Sequence, residues 1–282
     1  MTNEAIKNFI LKLKRKPESN KYSYGHILVI AGSKSMPGAG VLACIGALRA
    51  GAGIVSFAVN DSFLNQSCAL STPETIFCVY KSAADIIKYI EERKVTSAVI
   101  GPGLKTDINF IKTILSSINL PVILDASGLA CFNGKTKILK SVKSNLIITP
   151  HLGEFSKLTS LTYEKIENNK EEIIKNFSKE NSLICVLKGN KTTVSNGYKN
   201  YKNCSGTPAM ATAGSGDVLS GLAAAFASRS DDTFAAVISS VFVHGLAGEI
   251  CAKQKGENGI TASDIAESIP YAIKNLGEKY DF

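Results

Sequence analysis

The chain has 282 residues, 45% of them hydrophobic and 20% charged, which fits one large folded domain or two small ones and excludes disorder, a collagen-like helix and a coiled coil. No uninterrupted apolar run of about 18 residues occurs, which argues against a membrane-spanning helix. The net charge of +8 comes from 32 basic and 24 acidic residues, yet only Lys12-Leu13-Lys14-Arg15-Lys16 forms a cluster, which reads as a solvated face; no nucleic-acid footprint is present, whereas small anionic ligands such as nucleotides fit the charge.

The first ten residues lack the basic-then-apolar order of a secretory signal, and residues 1–20 read as an extension ahead of the first strand. Residues 26–31 predict a strand, 41–50 an Ala- and Leu-rich helix, and 54–59 a second strand. A helical stretch at 82–93 precedes strands at 97–100, 121–125 and 146–149; a helical stretch at 163–180 precedes a strand at 183–187. Each strand run is continuously apolar and often β-branched, as expected of strands buried on both faces. The alternation predicts an α/β fold, three layers with a mostly parallel central sheet between helices. After Gly214 come three helical segments, near 215–229, 232–253 and 261–276. No linker or repeat divides the chain, so residues 1–282 read as one domain.

The seven cysteines (Cys44, Cys68, Cys78, Cys131, Cys185, Cys204 and Cys251) are odd in number and no two are separated by two residues. That spacing suggests neither a disulfide framework nor a zinc site, and it predicts a reducing compartment, the cytoplasm.

In a parallel sheet, ligands bind beyond the carboxyl ends of the strands. The residues found there are Gly32-Ser33, Asn60-Asp61, Gly101-Pro102-Gly103, Asp125-Ala126-Ser127-Gly128, Pro150-His151-Leu152-Gly153-Glu154 and Lys188-Gly189-Asn190. Nearly all are glycine or polar, so this edge reads as a cleft. Two tempting motifs fail. Asn133-Gly134-Lys135-Thr136 ends like a phosphate-binding loop, but Leu129 stands where its first glycine belongs. Gly38-Ala39-Gly40-Val41-Leu42-Ala43 imitates a dinucleotide fingerprint, but Gly32 to Pro37 separate it from the strand; it reads instead as a glycine-rich substrate loop opening a helix.

The sharpest signal is Pro208-Ala209-Met210-Ala211-Thr212-Ala213-Gly214-Ser215-Gly216-Asp217-Val218-Leu219-Ser220-Gly221. Two glycines bracket Ser215 where a helix begins, and amides at a helix N-terminus converge on a phosphate. Asp217 in the first turn has two compatible roles: complementing the helix dipole, or acting as a general base beside that phosphate.

Ala213-Gly214-Ser215-Gly216-Asp217 resembles the anion hole and catalytic aspartate of the ribokinase-like superfamily. The wider stretch from Asn203 to Gly221 resembles the ADP- or ATP-dependent NAD(P)H-hydrate dehydratases. So do Ile30-Ala31-Gly32-Ser33, Ala47-Leu48-Arg49-Ala50-Gly51-Ala52-Gly53, Ile100-Gly101-Pro102-Gly103-Leu104, Thr149-Pro150-His151-Leu152-Gly153-Glu154-Phe155, His244-Gly245-Leu246-Ala247-Gly248 and Gly259-Ile260-Thr261-Ala262-Ser263-Asp264-Ile265. The matches keep the family's order over roughly residues 20–270; departures fall at Asn20-Lys21-Tyr22, Ser127 and Leu152.

The resemblance implies a ribokinase-like fold and a repair reaction. ADP or ATP phosphorylates the C6 hydroxyl of the S epimer of hydrated NADH or NADPH, and loss of phosphate restores the double bond. It implies Asp217 as base, the amides of Gly214, Ser215 and Gly216 as anion hole, and Ala39, Gly103, His151 and Asp217 as substrate contacts. Lys188-Gly189-Asn190-Lys191-Thr192, together with Gly216, matches the nucleotide-binding positions; taken alone, the loop also reads as an ordinary β-turn. Mg2+ is expected with the phosphate donor, held by phosphates and water rather than by protein ligands. A separate epimerase chain and a homo-oligomer, a tetramer, are further expectations from the family. Glu154 could orient a water or Mg2+ or complement a helix N-terminus; Asp125 stays unassigned, and His26 and His244 read as core. The competing readings are an ATP-dependent small-molecule kinase of the same superfamily and a nucleotide-binding sensor without catalysis.

Overall fold

The apolar runs form the centre of the molecule in the computed structural model, which describes residues 2–142 and 145–280. Residues 1, 143, 144, 281 and 282, which the expected single domain also spans, lie outside the described residues. The chain opens with α1 (Thr2–Leu11), β1 (His26–Ile30), α2 (Pro37–Arg49), β2 (Ile54–Asn60), α3 (Leu64–Leu70) and β3 (Thr75–Tyr80). Next come α4 (Ala83–Arg93), β4 (Ser97–Ile100), α5 (Ile108–Ser117), β5 (Val122–Leu124), α6 (Ala126–Ala130) and β6 (Leu146–Ile148). Three helices, α7 (Leu152–Thr159), α8 (Tyr163–Asn168) and α9 (Lys170–Asn181), lead to β7 (Ile184–Leu187), β8 (Thr193–Ser195) and β9 (Asn200–Lys202). The chain then runs through α10 (Ser215–Ala227), α11 (Thr233–Lys255) and α12 (Ala262–Lys279).

The nine strands form one sheet in the order β3-β2-β1-β4-β5-β6-β7-β8-β9. Strands β1 to β7 pair in parallel, and β8 and β9 add an antiparallel edge. Alternate residues of β1 face opposite sides: Ile27 and Val29 join one core with α1, α2, α10, α11 and α12, while Leu28 and Ile30 join the other with α4, α5 and α7 to α9. The strand order reverses between β1 and β4, and the carboxyl ends at such a reversal are where folds of this kind place ligands.

The differences from the sequence reading have local causes. Strand β3 is absent from the sequence reading although Ile76-Phe77-Cys78-Val79-Tyr80 is a continuous apolar run; in the structure it is the edge strand of the sheet, with Ile76 and Val79 exposed. The helix expected from residue 41 starts at Pro37, whose ring favours the first helical position, so Gly38, Ala39 and Gly40 form its first turn rather than a loop. The stretch 163–180 breaks at Asn169 into α8 and α9. The N-terminal extension carries α1, whose Ile6, Phe9 and Ile10 are buried, with Phe9 4.8 Å from Phe226 between ring centroids. By length and composition alone α11 could cross a membrane; 72% of its most apolar window is packed inside the fold, so the apolarity serves the core. Cys44, Cys78, Cys185 and Cys251 are buried, Cys131 is half-buried, and Cys68 and Cys204 are exposed thiols.

Candidate active site

The loop from β9 to α10 is fastened to α11 before it reaches the Gly-Ser-Gly-Asp turn. The Gly206 amide donates to Glu249 Oε1 at 2.7 Å, and Ser205 Oγ donates to the Phe242 carbonyl at 2.8 Å. Gly214 then adopts a left-handed conformation (φ +88°), which favours glycine, and starts α10 without a side-chain cap. The Ser215 amide donates to the Thr212 carbonyl at 3.4 Å, while the first-turn amides of Gly216 and Asp217 are left for a ligand, and the helix dipole favours an anion there.

Helices α2 and α10 share the most extensive helix interface, and it sets where that turn points. A Cβ on Gly214 would lie 2.3 Å from Leu42 Cδ1, and one on Gly46 would lie 2.3 Å from the Val218 carbonyl oxygen. The two helices thus run side by side with their N-termini at the same end of the sheet. Ala39 is one turn before Leu42, and a Cβ on Gly103 would meet Ala39 Cβ at 2.9 Å. The expected substrate positions Ala39 and Gly103 consequently meet beyond the carboxyl ends of β1 and β4, one helical turn from the contact between Leu42 and Gly214.

A buried charge network stands on the other side. Asp125, at the end of β5 and 1% exposed, accepts from Lys188 Nζ at 2.9 Å, Ser220 Oγ at 2.7 Å and the Ala126 amide at 2.9 Å. Lys188 extends from the end of β7, and a Cβ on Gly216 would be 3.1 Å from its Nζ, so the ammonium lies against the first turn of α10. Burial opposes the charge on Lys188, but Asp125, Glu154 and Asp217 together outweigh it and raise its pKa. Asp217 is pushed up to about 7, chiefly by burial and then by Asp125, with Glu154 adding a little; Lys188 pulls the other way. A carboxyl poised near neutrality beside amides built for phosphate is suited to take a proton from an attacking hydroxyl.

His151 and Lys188 form an isolated parallel bridge that continues β6 and β7. The His151 ring caps α7: Nδ1 accepts from the Gly153 amide at 3.0 Å and the Glu154 amide at 3.2 Å. Two donors on Nδ1 require the proton on Nε2, which leaves Nε2–H on a side chain 61% exposed, 3.6 Å from Glu154 Oε2 and beyond hydrogen-bond reach of it. Glu154 completes the reciprocal cap by accepting from the His151 amide at 2.8 Å, so its packing realises the helix-terminus role. Replacing His151 with Ala should cost about 1 kcal/mol of stability through the lost cap, measured by urea unfolding, while His151→Asn should retain most of it. Leu152 occupies the first helical position, where a proline would also fit.

Of the expected nucleotide positions, Lys188 and Gly216 meet at the site. Gly189, Asn190 and Lys191 are the exposed turn of the β7–β8 hairpin, closed by Thr192 Oγ1 on the Gly189 carbonyl at 3.2 Å. Sequence reasoning missed Ser220, although its place one turn after Asp217 signals the same helix face. It also left His244 in the core; the ring is buried, hydrogen-bonds the Ser215 backbone and has its pKa lowered to about 4, chiefly by burial. His26 is a core residue, with Nε2 2.7 Å from Ser56 Oγ. Among the described residues no three His, Cys, Asp or Glu side chains are grouped to hold a metal ion, so these side chains do not fit a protein-caged Mg2+.

Comparison with known proteins points the same way. The sequence model of the NAD(P)H-hydrate dehydratase family matches residues 27–271. The chain is 33% identical over 95% of its length to the bifunctional NAD(P)H-hydrate repair enzyme of Moorella thermoacetica, but spans about half (53%) of that relative. It is 29% identical to the ADP-dependent (S)-NAD(P)H-hydrate dehydratase of Listeria monocytogenes, covering 94% of this chain and 93% of that one. Among solved structures it superposes with a TM-score of 0.82 on the ADP/ATP-dependent NAD(P)H-hydrate dehydratase of Bacillus subtilis co-crystallised with ATP and Mg2+, at 27% identity, covering 94% of this chain and 96% of that one.

Proposed function

Because the chain belongs to the NAD(P)H-hydrate dehydratase family, we propose that it uses ADP, or ATP, to dehydrate the S epimer of hydrated NADH or NADPH. The observation that carries this reading is the placement of Asp217 in the uncapped first turn of α10, with its proton affinity near neutrality and Lys188 alongside.

The hydrated nicotinamide enters the crevice at Ala39 and Gly103, with Nε2–H of His151 donating to it. The donor's phosphates lie on the amides of Gly214, Ser215 and Gly216, and the Lys188 to Thr192 turn borders the nucleotide. Asp217 takes the proton of the C6 hydroxyl as its oxygen attacks the terminal phosphorus, and AMP (or ADP) leaves. The amides and the Lys188 ammonium oppose the charge on the transferring group. The C6–O bond then breaks with its electron pair going to phosphate, a proton leaves C5, and the double bond returns. Hydroxide leaves poorly and phosphate well, which is why a nucleotide is consumed. Mg2+ would be held by the donor's phosphates and water, where it would neutralise part of their charge.

We read the chain as a single domain acting in the cytoplasm, which the exposed thiols of Cys68 and Cys204 support. We read it also as a homotetramer: Phe242, Leu246 and Ile250 line an apolar groove of about 250 Å³ on the outer helical face, a surface suited to another copy. A hydrate epimerase is its expected functional partner, in keeping with bifunctional relatives. The test is recovery of nicotinamide absorbance from hydrated NADH, with ADP and ATP tried separately. Recovery with either donor is expected; ATP-dependent phosphoester accumulation without recovery would favour the kinase reading.

A further inference from the structure

The proposed chemistry uses Asp217 and Lys188 but gives no task to the most deeply buried charge near them. Asp125 is 1% exposed, and both its oxygens are engaged: one by Lys188 Nζ and the Ala126 amide, the other by Ser220 Oγ. Ser220 lies one turn after Asp217 on α10, so the carboxylate ties the end of β5 to the helix that carries the base and, through Lys188, to the end of β7. A buried carboxylate with three donors is a rigid anchor. A lysine ammonium on a four-carbon stem is not, and without that anchor the carboxylates that draw it are Glu154 and Asp217.

We infer that Asp125 is a positioning residue: by holding the Lys188 ammonium against Gly216, with Ser220 fixing its second oxygen, it keeps that charge off Asp217 and directed at the incoming phosphoryl group. The inference rests on the proposed function for its chemical meaning, but the arrangement exists without substrate. An ammonium that settled on Asp217 would stabilise the charged carboxylate, weaken it as a base and spend the cation needed by the phosphate. The charged groups facing Asp217 are Asp125 from β5, Lys188 from β7 and Glu154 from α7, and His244 from α11 faces Lys188. Burial and the neighbouring carboxylates push Asp217 up to about 7, the state this arrangement preserves.

The test follows the Asp217 carboxyl directly by carbon NMR in protein labelled at aspartate carboxyls, with Asp217→Asn giving the assignment. The wild-type midpoint is expected near pH 7. In Asp125→Asn it should fall by at least about one pH unit, since a repelling charge is lost and the ammonium is released towards the base. In Lys188→Met it should rise. The deciding comparison is Asp125→Asn within Lys188→Met, where the fall should shrink to half or less. Equal falls in the two backgrounds would mean that Asp125 acts only through its own charge, and an unmoved midpoint in Asp125→Asn would mean that it only supports the fold; either overturns the inference. Should Asp125→Asn fail to fold, Ser220→Ala leaves every charge in place and should lower the midpoint only when Lys188 is present; no shift overturns the inference. The acid limb of dehydration should move with the midpoint. If no variant, wild type included, restores nicotinamide absorbance, the proposed function fails, while the midpoints still decide the role of Asp125.

Discussion

Replacing Asp217 with Asn is expected to lower dehydration by about 10³-fold and, at the same time, to make the protein more stable. Loss of a positioned general base costs on the order of 10²–10⁴ in rate. The gain in stability has a separate origin. Asp217 titrates at 3.8 when free and at about 7 in the folded chain, because burial and Asp125 disfavour its charged form. Below pH 4 both states are protonated and the site costs nothing. Between about pH 4 and 7 the folded state holds a proton that the unfolded chain releases, so stability falls as pH rises. Above pH 7 the full cost, as much as about 4 kcal/mol, is present. An amide of the same shape carries no such cost. The difference in unfolding free energy between Asp217→Asn and wild type, from urea titrations at pH 4, 6 and 8, should therefore start near zero and grow with pH. A pH-independent difference would mean that Asp217 is not the strained group. ADP should bind Asp217→Asn at least as tightly as wild type by calorimetry, since a negative charge beside the phosphates has been removed. A nucleotide sensor would instead show an Asp217→Asn variant equal to wild type in every assay.

What the sequence made legible divides along physical lines. The parallel strands β1, β2, β4, β5, β6 and β7 were readable because strands buried on both faces spell continuous apolar runs, such as His26–Ile30 and Ile184–Leu187. Strands β8 and β9 were hidden because three residues each are too short to show a period, whereas β3 spells the apolar run Ile76-Phe77-Cys78-Val79-Tyr80 and was legible by the same rule, though the sequence reading passed over it. In the site, Gly214 to Asp217 could be read from local geometry, since a helix N-terminus and its glycines are contiguous in the chain. The Asp125–Lys188–Ser220 network could not. Its members are 63 and 95 residues apart, and only the sheet order, which sets β5 two strands from β7, brings them together. His151 was readable as a polar residue after a strand, but its duty as a helix cap, and hence which ring nitrogen is taken up by the cap, depends on side-chain geometry.

Gly221→Ala is expected to be among the most damaging single-methyl changes in the protein, although it lies outside the anion-binding turn. A Cβ there would stand 1.9 Å from the Ala43 carbonyl oxygen and 2.9 Å from the Ala47 amide nitrogen, both backbone atoms of α2 that cannot rotate away. The helices must part, which at overpacked sites costs about 3 kcal/mol or more. For a chain of this size that lowers the melting temperature by on the order of 5 °C. The same displacement moves the N-terminus of α10 away from Ala39 and Lys188, so ADP affinity should fall along with stability. Gly38→Ala is the matched control: its Cβ would meet nothing within 4 Å, and alanine in the first turn of α2 restricts the unfolded chain more than glycine does. It should stabilise by about 0.5 kcal/mol. Calorimetric melting of the two variants should thus move in opposite directions. A Gly221→Ala protein melting with wild type would show that α2 and α10 do not approach this closely, and with that the shared seam that aims the Gly-Ser-Gly-Asp turn at the crevice would be lost as an explanation.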